Sequence, residues 1–175
     1  MSDGNAIMDV VRMRFENCKD LGERAMRQLD PEDWHYAPGP ESTSIAVNVK
    51  HMRGNMLSRW TDFLTTDGNK PWRERDAEFE TTGEETPEEI WGWWNEGWKV
   101  TMDALAPLTD ADLQRTITIR QQPLTVFSGI FRQQGHYNYH VGQIVYVARM
   151  RRGAAWETLS IAKGESDQYV AKPTD

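Results

Sequence analysis

Cysteine is nearly missing from this chain. Cys18 stands alone, so no disulfide can close within the sequence and no thiolate-rich zinc site can be assembled. Also missing is any run approaching the ~18 apolar residues of a membrane span. The start, Met1-Ser2-Asp3-Gly4-Asn5, has neither the basic opening nor the apolar stretch of a secretory signal. Together these absences predict a cytoplasmic protein with no membrane contact. Positive charge is in deficit: 20 Lys and Arg stand against 27 Asp and Glu, a formal net charge of -7. That balance repels a phosphate backbone, so nucleic acid is excluded as a partner. Internal repeats and low-complexity segments are absent too.

What is present suits one folded domain. The 175 residues are 38% hydrophobic and 27% charged, enough to bury a core without staples. We read 1–175 as a single domain, with a helical body over about 5–152 and a C-terminal tail over about 153–175.

Apolar periodicity gives the helices. Val11, Phe15, Cys18, Ala25 and Leu29 mark one face of a helix over residues 5–29. Cys18 lies on that stripe and reads as a buried hydrophobe without chemistry. The Pro-rich run to Pro40 reads as a loop. A second helix is predicted from Ser42-Thr43-Ser44 to Leu64, with a core stripe of Ile45, Val49, Met52, Met56 and Phe63. Beside it runs a polar stripe of Asn48, His51, Asn55, Ser58 and Asp62. Residues 65–86 read as a long exposed connection. Thr86-Pro87-Glu88-Glu89 is a capping box with proline in the first turn, so a third helix runs from there to Leu105. Its Trp91, Trp94 and Trp98 read as core. Alternation in Thr116-Ile117-Thr118-Ile119 and then Leu124-Thr125-Val126 predicts a small hairpin around Gln121-Gln122-Pro123. A fourth helix runs from Thr125 to the Arg151-Arg152-Gly153 stop.

His136 and His140 are four apart on this last helix, so their rings share a face and can converge on one ion. They form a stripe with Gln143 and Val147. Tyr139 and Tyr146 flank it on one side and Tyr137, Val141 and Ile144 on the other, which predicts that the stripe faces inward. On spacing alone, two ordinary hydrogen-bonded histidines remain the simpler account, and a third ligand would decide for metal. His35, in the Pro-rich loop, suits an exposed or capping role. His51 belongs to a polar stripe that periodicity reads, by a small margin, as a solvated face. The charged run Arg73-Glu74-Arg75-Asp76-Ala77-Glu78 either borders the site or faces water, and surface is the simpler account.

Ser44-Ile45-Ala46 followed by His51, and then His136-Tyr-x-x-His140-Val-Gly142-Gln143-Ile, resemble the DinB-like superfamily of four-helix-bundle proteins. Three further stretches are similar to one branch of unknown function within it: His51-Met-Arg-Gly-Asn55-Met-Leu-Ser-Arg59-Trp60, Lys70-Pro71-Trp72-Arg73-x-Arg75-Asp76 and Trp156-x-x-Leu159-Ser160-Ile161. Ala162 departs from that branch, where proline is usual. The resemblance implies an all-α four-helix bundle with a small β-hairpin before the last helix. It also implies a divalent metal ion, zinc or nickel, held by a triad of His51, His136 and His140.

Asn55 and Gln143 are the expected pocket or supporting residues, and no general acid or base is named. Three nitrogen ligands leave a coordination position open. By the same resemblance the function is a metal-dependent enzyme, a low-molecular-weight thiol S-transferase acting on a thiol and an electrophilic small molecule, or a hydrolase. The other reading is a non-catalytic, metal-stabilised homodimer that buries tail residues Trp156, Leu159 and Ile161.

Overall fold

Three of the four helices begin at a capping side chain of their own. In this computed structural model, which describes residues 5–170, α1 spans Ala6–Met26, α2 Ile45–Trp60, α3 Pro87–Leu105 and α4 Val126–Arg152, with strands β1 Thr116–Ile119 and β2 Gln122–Thr125 before α4. The predicted ends at residues 1–4 and 171–175 lie outside the described residues. Thr86 Oγ1 accepts from the Glu89 N–H at 3.2 Å while Glu89 Oε2 accepts from the Thr86 N–H at 2.7 Å, closing the predicted capping box. Ser44 and Thr125 cap α2 and α4 in the same manner, each accepting from the N–H three residues on. The start of α1 borrows its cap from the turn after α3: Asp110 accepts from the Ile7 and Met8 N–H groups.

Two boundaries fall short of the predicted ones. α1 gives way after Met26 to turns in which Gln28 and Leu29 reach back to the carbonyls of Ala25 and Met26. α2 ends at Trp60 rather than Leu64, because Thr61 turns extended and Asp62 adopts φ 48°. A short polar side chain tolerates that left-handed backbone.

α1 packs on α4, α2 packs on both α3 and α4, and the four helices enclose one apolar core. Phe15, Trp94, Trp98 and Tyr137 are at most 2% exposed. Each such side chain contributes roughly 1.5–3 kcal/mol on burial. Trp91 is only partly buried, edge-on to Trp34 at 5.9 Å. Gly97 lets α2 and α3 approach, since a Cβ there would sit 2.8 Å from Met56 Sδ and 3.2 Å from Arg53 Cα.

The hairpin pairs Ile119 with Gln122, leaving Arg120-Gln121 as a two-residue turn with φ of 53° and 62°. Neither residue is glycine. Asp67, from the long connection after α2, accepts from both of their N–H groups, at 2.9 and 2.7 Å, and so holds the turn. The connection is therefore pinned to the hairpin. The tail folds back on its own bundle: Trp156 and Leu159 pack against the core, and α1 side chains Arg24 and Gln28 bond to the carbonyls of Leu159 and Glu157. Ile161 stays 41% exposed. No helix among the described residues is long and apolar enough to cross a membrane.

Candidate metal centre

His51 projects from α2 toward His136 and His140 on α4. The Nε2 atoms of His51 and His136 lie 3.3 Å apart and those of His140 and His136 3.1 Å apart. One ring nitrogen from each of the three falls within 4.8 Å of the other two. His35 is elsewhere, its Nε2 donating to the Glu85 carbonyl at 2.9 Å.

The polar stripe of α2 is buried, contrary to the solvated face that periodicity favours. Asn48, His51, Asn55 and Ser58 are all under 9% exposed. The stripe on α4 is only half enclosed: Tyr137, Val141 and Ile144 are buried, whereas Tyr139 and Tyr146 are 63% and 65% exposed. The histidines thus sit at the rim of the core.

The second ring nitrogens determine what the Nε2 atoms offer. His51 Nδ1 donates to Glu78 Oε2 at 2.9 Å. A carboxylate only accepts, so a proton sits on Nδ1, and the ring in its neutral form presents the Nε2 lone pair to the cluster. His140 Nδ1 faces Asn48 Oδ1 and Gln143 Oε1, each at 2.9 Å, with the same consequence. The Asn48 amide is oriented by its own NH2 group, which donates to Thr43 Oγ1 and the Ser44 carbonyl. His136 differs, because its Nδ1 is buried without a partner among the described residues.

Glu78 is gripped from the far side as well. Arg73 donates through Nε and Nη2 to its two oxygens at 2.7 and 2.8 Å. The Arg73 and Glu78 side chains are 5% and 9% exposed, so the surface reading of the charged run fails at these two positions. Burial pushes the Glu78 carboxyl up, but the bonds from Arg73 and His51 outweigh it and leave it below the usual carboxylate range. Gly54 makes room for this carboxylate, since a Cβ there would lie 2.5 Å from Glu78 Cδ. Phe79 closes over His51 with ring centroids 4.5 Å apart.

Burial first, then the neighbouring histidines, holds His136 down to about 3, and burial followed by His51 holds His140 down to about 4. Both rings are neutral at pH 7, the state that ligates metal.

Asn55 makes its hydrogen bonds away from the three rings. Its Oδ1 accepts from Gln133 Nε2 at 2.8 Å and Tyr137 OH at 3.3 Å, and that hydroxyl accepts from Trp60 Nε1 at 2.9 Å. Asn55 does line a cavity of about 180 Å³ together with His51, His136, Gln133 and five arginines. A second, wider groove of about 600 Å³ reaches His140 between Phe79, Tyr139, Gln143 and Tyr146.

Sequence reading placed Asn55 and Gln143 at this site but missed Asn48, Arg73 and Glu78. Asn48 had a signal, one turn before His51 on the same stripe. Arg73 and Glu78 left no periodic signal, since Glu78 reaches His51 across 27 residues, most of them in the irregular connection after α2.

The chain matches the model of a family described as Protein of unknown function (DUF1572) over residues 2–165. It belongs to that family. No curated protein matches it. The DUF1572 match covers all four helices, the hairpin and every residue of the histidine cluster, but brings no assigned chemistry.

The fit of a metal to this DUF1572 site is tested by the nitrogens themselves. Zn–N bonds of ~2.0–2.1 Å at tetrahedral angles put ligand nitrogens ~3.3 Å apart, against the 3.3 and 3.1 Å found for two of the pairs. Neutral rings alone serve the cluster poorly. With His51 and His140 each offering a lone pair, the single His136 Nε2–H can answer only one of them, and the other lone pair is left without a donor. A cation among the three nitrogens answers that lone pair, and the cluster can hold one.

Proposed function

We propose that this protein holds one divalent ion, zinc or nickel, on the Nε2 atoms of His51, His136 and His140, and works as a metal-dependent enzyme of the DinB-like superfamily. We further propose its reaction: transfer of a small thiol to an electrophilic substrate. The observation that carries the metal reading is the set of three Nδ1 hydrogen bonds, from His51 to Glu78 and from His140 to Asn48 and Gln143, which aim two Nε2 lone pairs at the third ring. The chain's likeness in motif to the DinB-like superfamily supports the choice of thiol chemistry.

The chemistry such an ion supplies is Lewis-acid polarisation and a thiol or water deprotonated at neutral pH. The protein's own contribution is orientation. Glu78 and Arg73 fix His51, Asn48 and Gln143 fix His140, and the buried Trp60–Tyr137–Asn55–Gln133 network stiffens one wall of the adjoining cavity. Two openings reach the cluster, one polar beside His51 and His136 and one aromatic beside His140. That suits two reactants approaching from different sides.

The test begins with elemental analysis of untagged protein. One equivalent of metal in the wild type and its loss in His51→Ala, with the helical spectrum kept, is the expected result. Absence of metal from both proteins, even after incubation with zinc or nickel, would remove the basis of the reading. The loaded protein is then given small thiols and alkylating electrophiles. Thiol transfer consumes thiol and releases the leaving group in equal amounts, whereas hydrolysis releases it with the thiol untouched.

A further inference from the structure

We propose that the cavity beside the histidines is an anion receptor in which Arg59, Arg120 and Arg132 bind the phosphate or carboxylate group of a small substrate. The role of that substrate rests on the metal-dependent reading above, but its binding does not.

The cavity wall carries Arg59, Arg73, Arg75, Arg120 and Arg132 and no acidic residue. In a chain of net charge -7, five guanidinium groups around one small cavity run against the composition. Two of them have carboxylate partners: Arg73 is matched by Glu78, and Arg75 lies 3.5 Å from Asp76.

The remaining three lack one. Arg59 is 7% exposed, and its guanidinium donates only to the Ser58 hydroxyl and the Gly68 carbonyl, both neutral. Arg120 and Arg132 make no side-chain hydrogen bond or ion pair among the described residues. Asp67, the nearby acid behind the hairpin turn, has its oxygens committed to the N–H groups of Asn69, Arg120 and Gln121.

A buried guanidinium facing like charges is costly unless an anion joins it. The strain is visible at Arg59, which burial first, and then Arg73, Arg132 and Arg120, hold down to about 10. The three free groups come from three elements: α2, the hairpin turn clamped by Asp67, and α4. Their planar forks match the paired oxygens of phosphate and carboxylate. A cavity of about 180 Å³ is smaller than the ~300 Å³ at which drug-sized ligands begin, so it takes an anionic group and not a polymer.

The experiment is calorimetric titration of the full chain, chelator-treated and metal-loaded, with inorganic phosphate and with succinate. KCl at about 150 mM screens diffuse attraction beyond ~8 Å. Saturable one-to-one binding is expected for at least one probe, and which one binds separates phosphate from carboxylate chemistry. Affinity should fall at least tenfold in Arg132→Gln and in Arg120→Gln, both exposed positions that leave the fold alone, and stay unchanged in Arg149→Gln at the far end of α4. Absence of saturable binding, or equal binding by wild type and Arg132→Gln, overturns the proposal. If chelator-treated protein binds the anion in this arginine-dependent way but takes up no metal, the receptor stands and the metal reading fails. One equivalent of metal with no anion binding gives the reverse.

Discussion

His51 Nδ1 and Glu78 Oε2 meet at 2.9 Å with both side chains under 10% exposed, which ties a ring on α2 to a carboxylate in the connection that follows it. Hydrogen bonds of this kind to metal-ligating histidines typically carry 10–100-fold in metal affinity. Glu78→Gln keeps an oxygen for the His51 N–H but removes the charge that matches Arg73. Metal affinity, read by competition with a chromophoric chelator, should therefore fall ~10–100-fold. Stability of the metal-free protein should also fall, by up to ~3–5 kcal/mol, because a buried guanidinium loses its partner. Glu74→Gln, one residue beyond Arg73 and exposed, is the control and should change neither. An unaltered affinity in Glu78→Gln would mean that the pair is structural only.

Gly54 tests the same carboxylate from the helix side. Alanine within a helix is favoured over glycine by ~0.8–1.0 kcal/mol, so on local grounds Gly54→Ala should stabilise α2. Here the new Cβ would lie 2.5 Å from Glu78 Cδ, and the carboxylate would have to leave His51 and Arg73. We expect weakened metal binding in a protein that is fully helical. Unweakened binding together with a higher melting temperature would show that Glu78 can shift without consequence.

The helices were legible because their signals are local. Thr86-Pro87-Glu88-Glu89 caps α3 at the predicted residue, and the apolar stripe predicted for the second helix is buried, from Ile45 to Met56 within α2 and at Phe63 just beyond it. The His136–His140 pair was legible for the same reason, being one turn apart. The setting of His51 was not. A polar stripe reads identically whether it faces water or a second polar stripe, and only the tertiary arrangement puts Asn48 and His51 opposite His140 and His136. Arg73 and Glu78 resemble any exposed charges until the connection folds back over α2. The flank formed by Tyr139 and Tyr146 misled in the opposite sense, since large aromatic side chains that look like core stand at the mouth of a groove.

Cys18 illustrates a reading that needs only the stripe. The thiol is 5% exposed, and burial pushes it up to about 12, so the thiolate that reacts with alkylating agents is scarce at neutral pH. Folded protein at pH 8 should resist iodoacetamide, followed by mass spectrometry, and react fully once urea is added. Rapid modification of the native chain would show that α1 opens or that the thiol has a role.

Acid should expose the histidines of the metal-free protein. His136 and His140 titrate near 3 and 4 in the folded state, against ~6.5 for an unperturbed imidazole. Above ~6.5 both rings are neutral whether the chain is folded or not, and they give stability no pH dependence. Below that, the unfolded chain takes up protons that the folded chain refuses, so stability falls as pH drops through 6.5 toward 4 and 3. The slope is at most about 1.4 kcal/mol per pH unit for each ring. Urea midpoints of chelator-treated protein between pH 7 and pH 5 measure it, and the double variant His136→Gln/His140→Gln supplies the reference. His35 and the carboxylates remote from the cluster are common to both proteins and drop out of the difference, which reports the histidine cluster as a unit. The wild type should lose stability across this interval faster than the double variant. Parallel curves would mean that the two rings reach solvent and accept protons freely. They would then be protonated in competition with any metal at mildly acid pH, and the cluster would hold its ion only near neutrality and above.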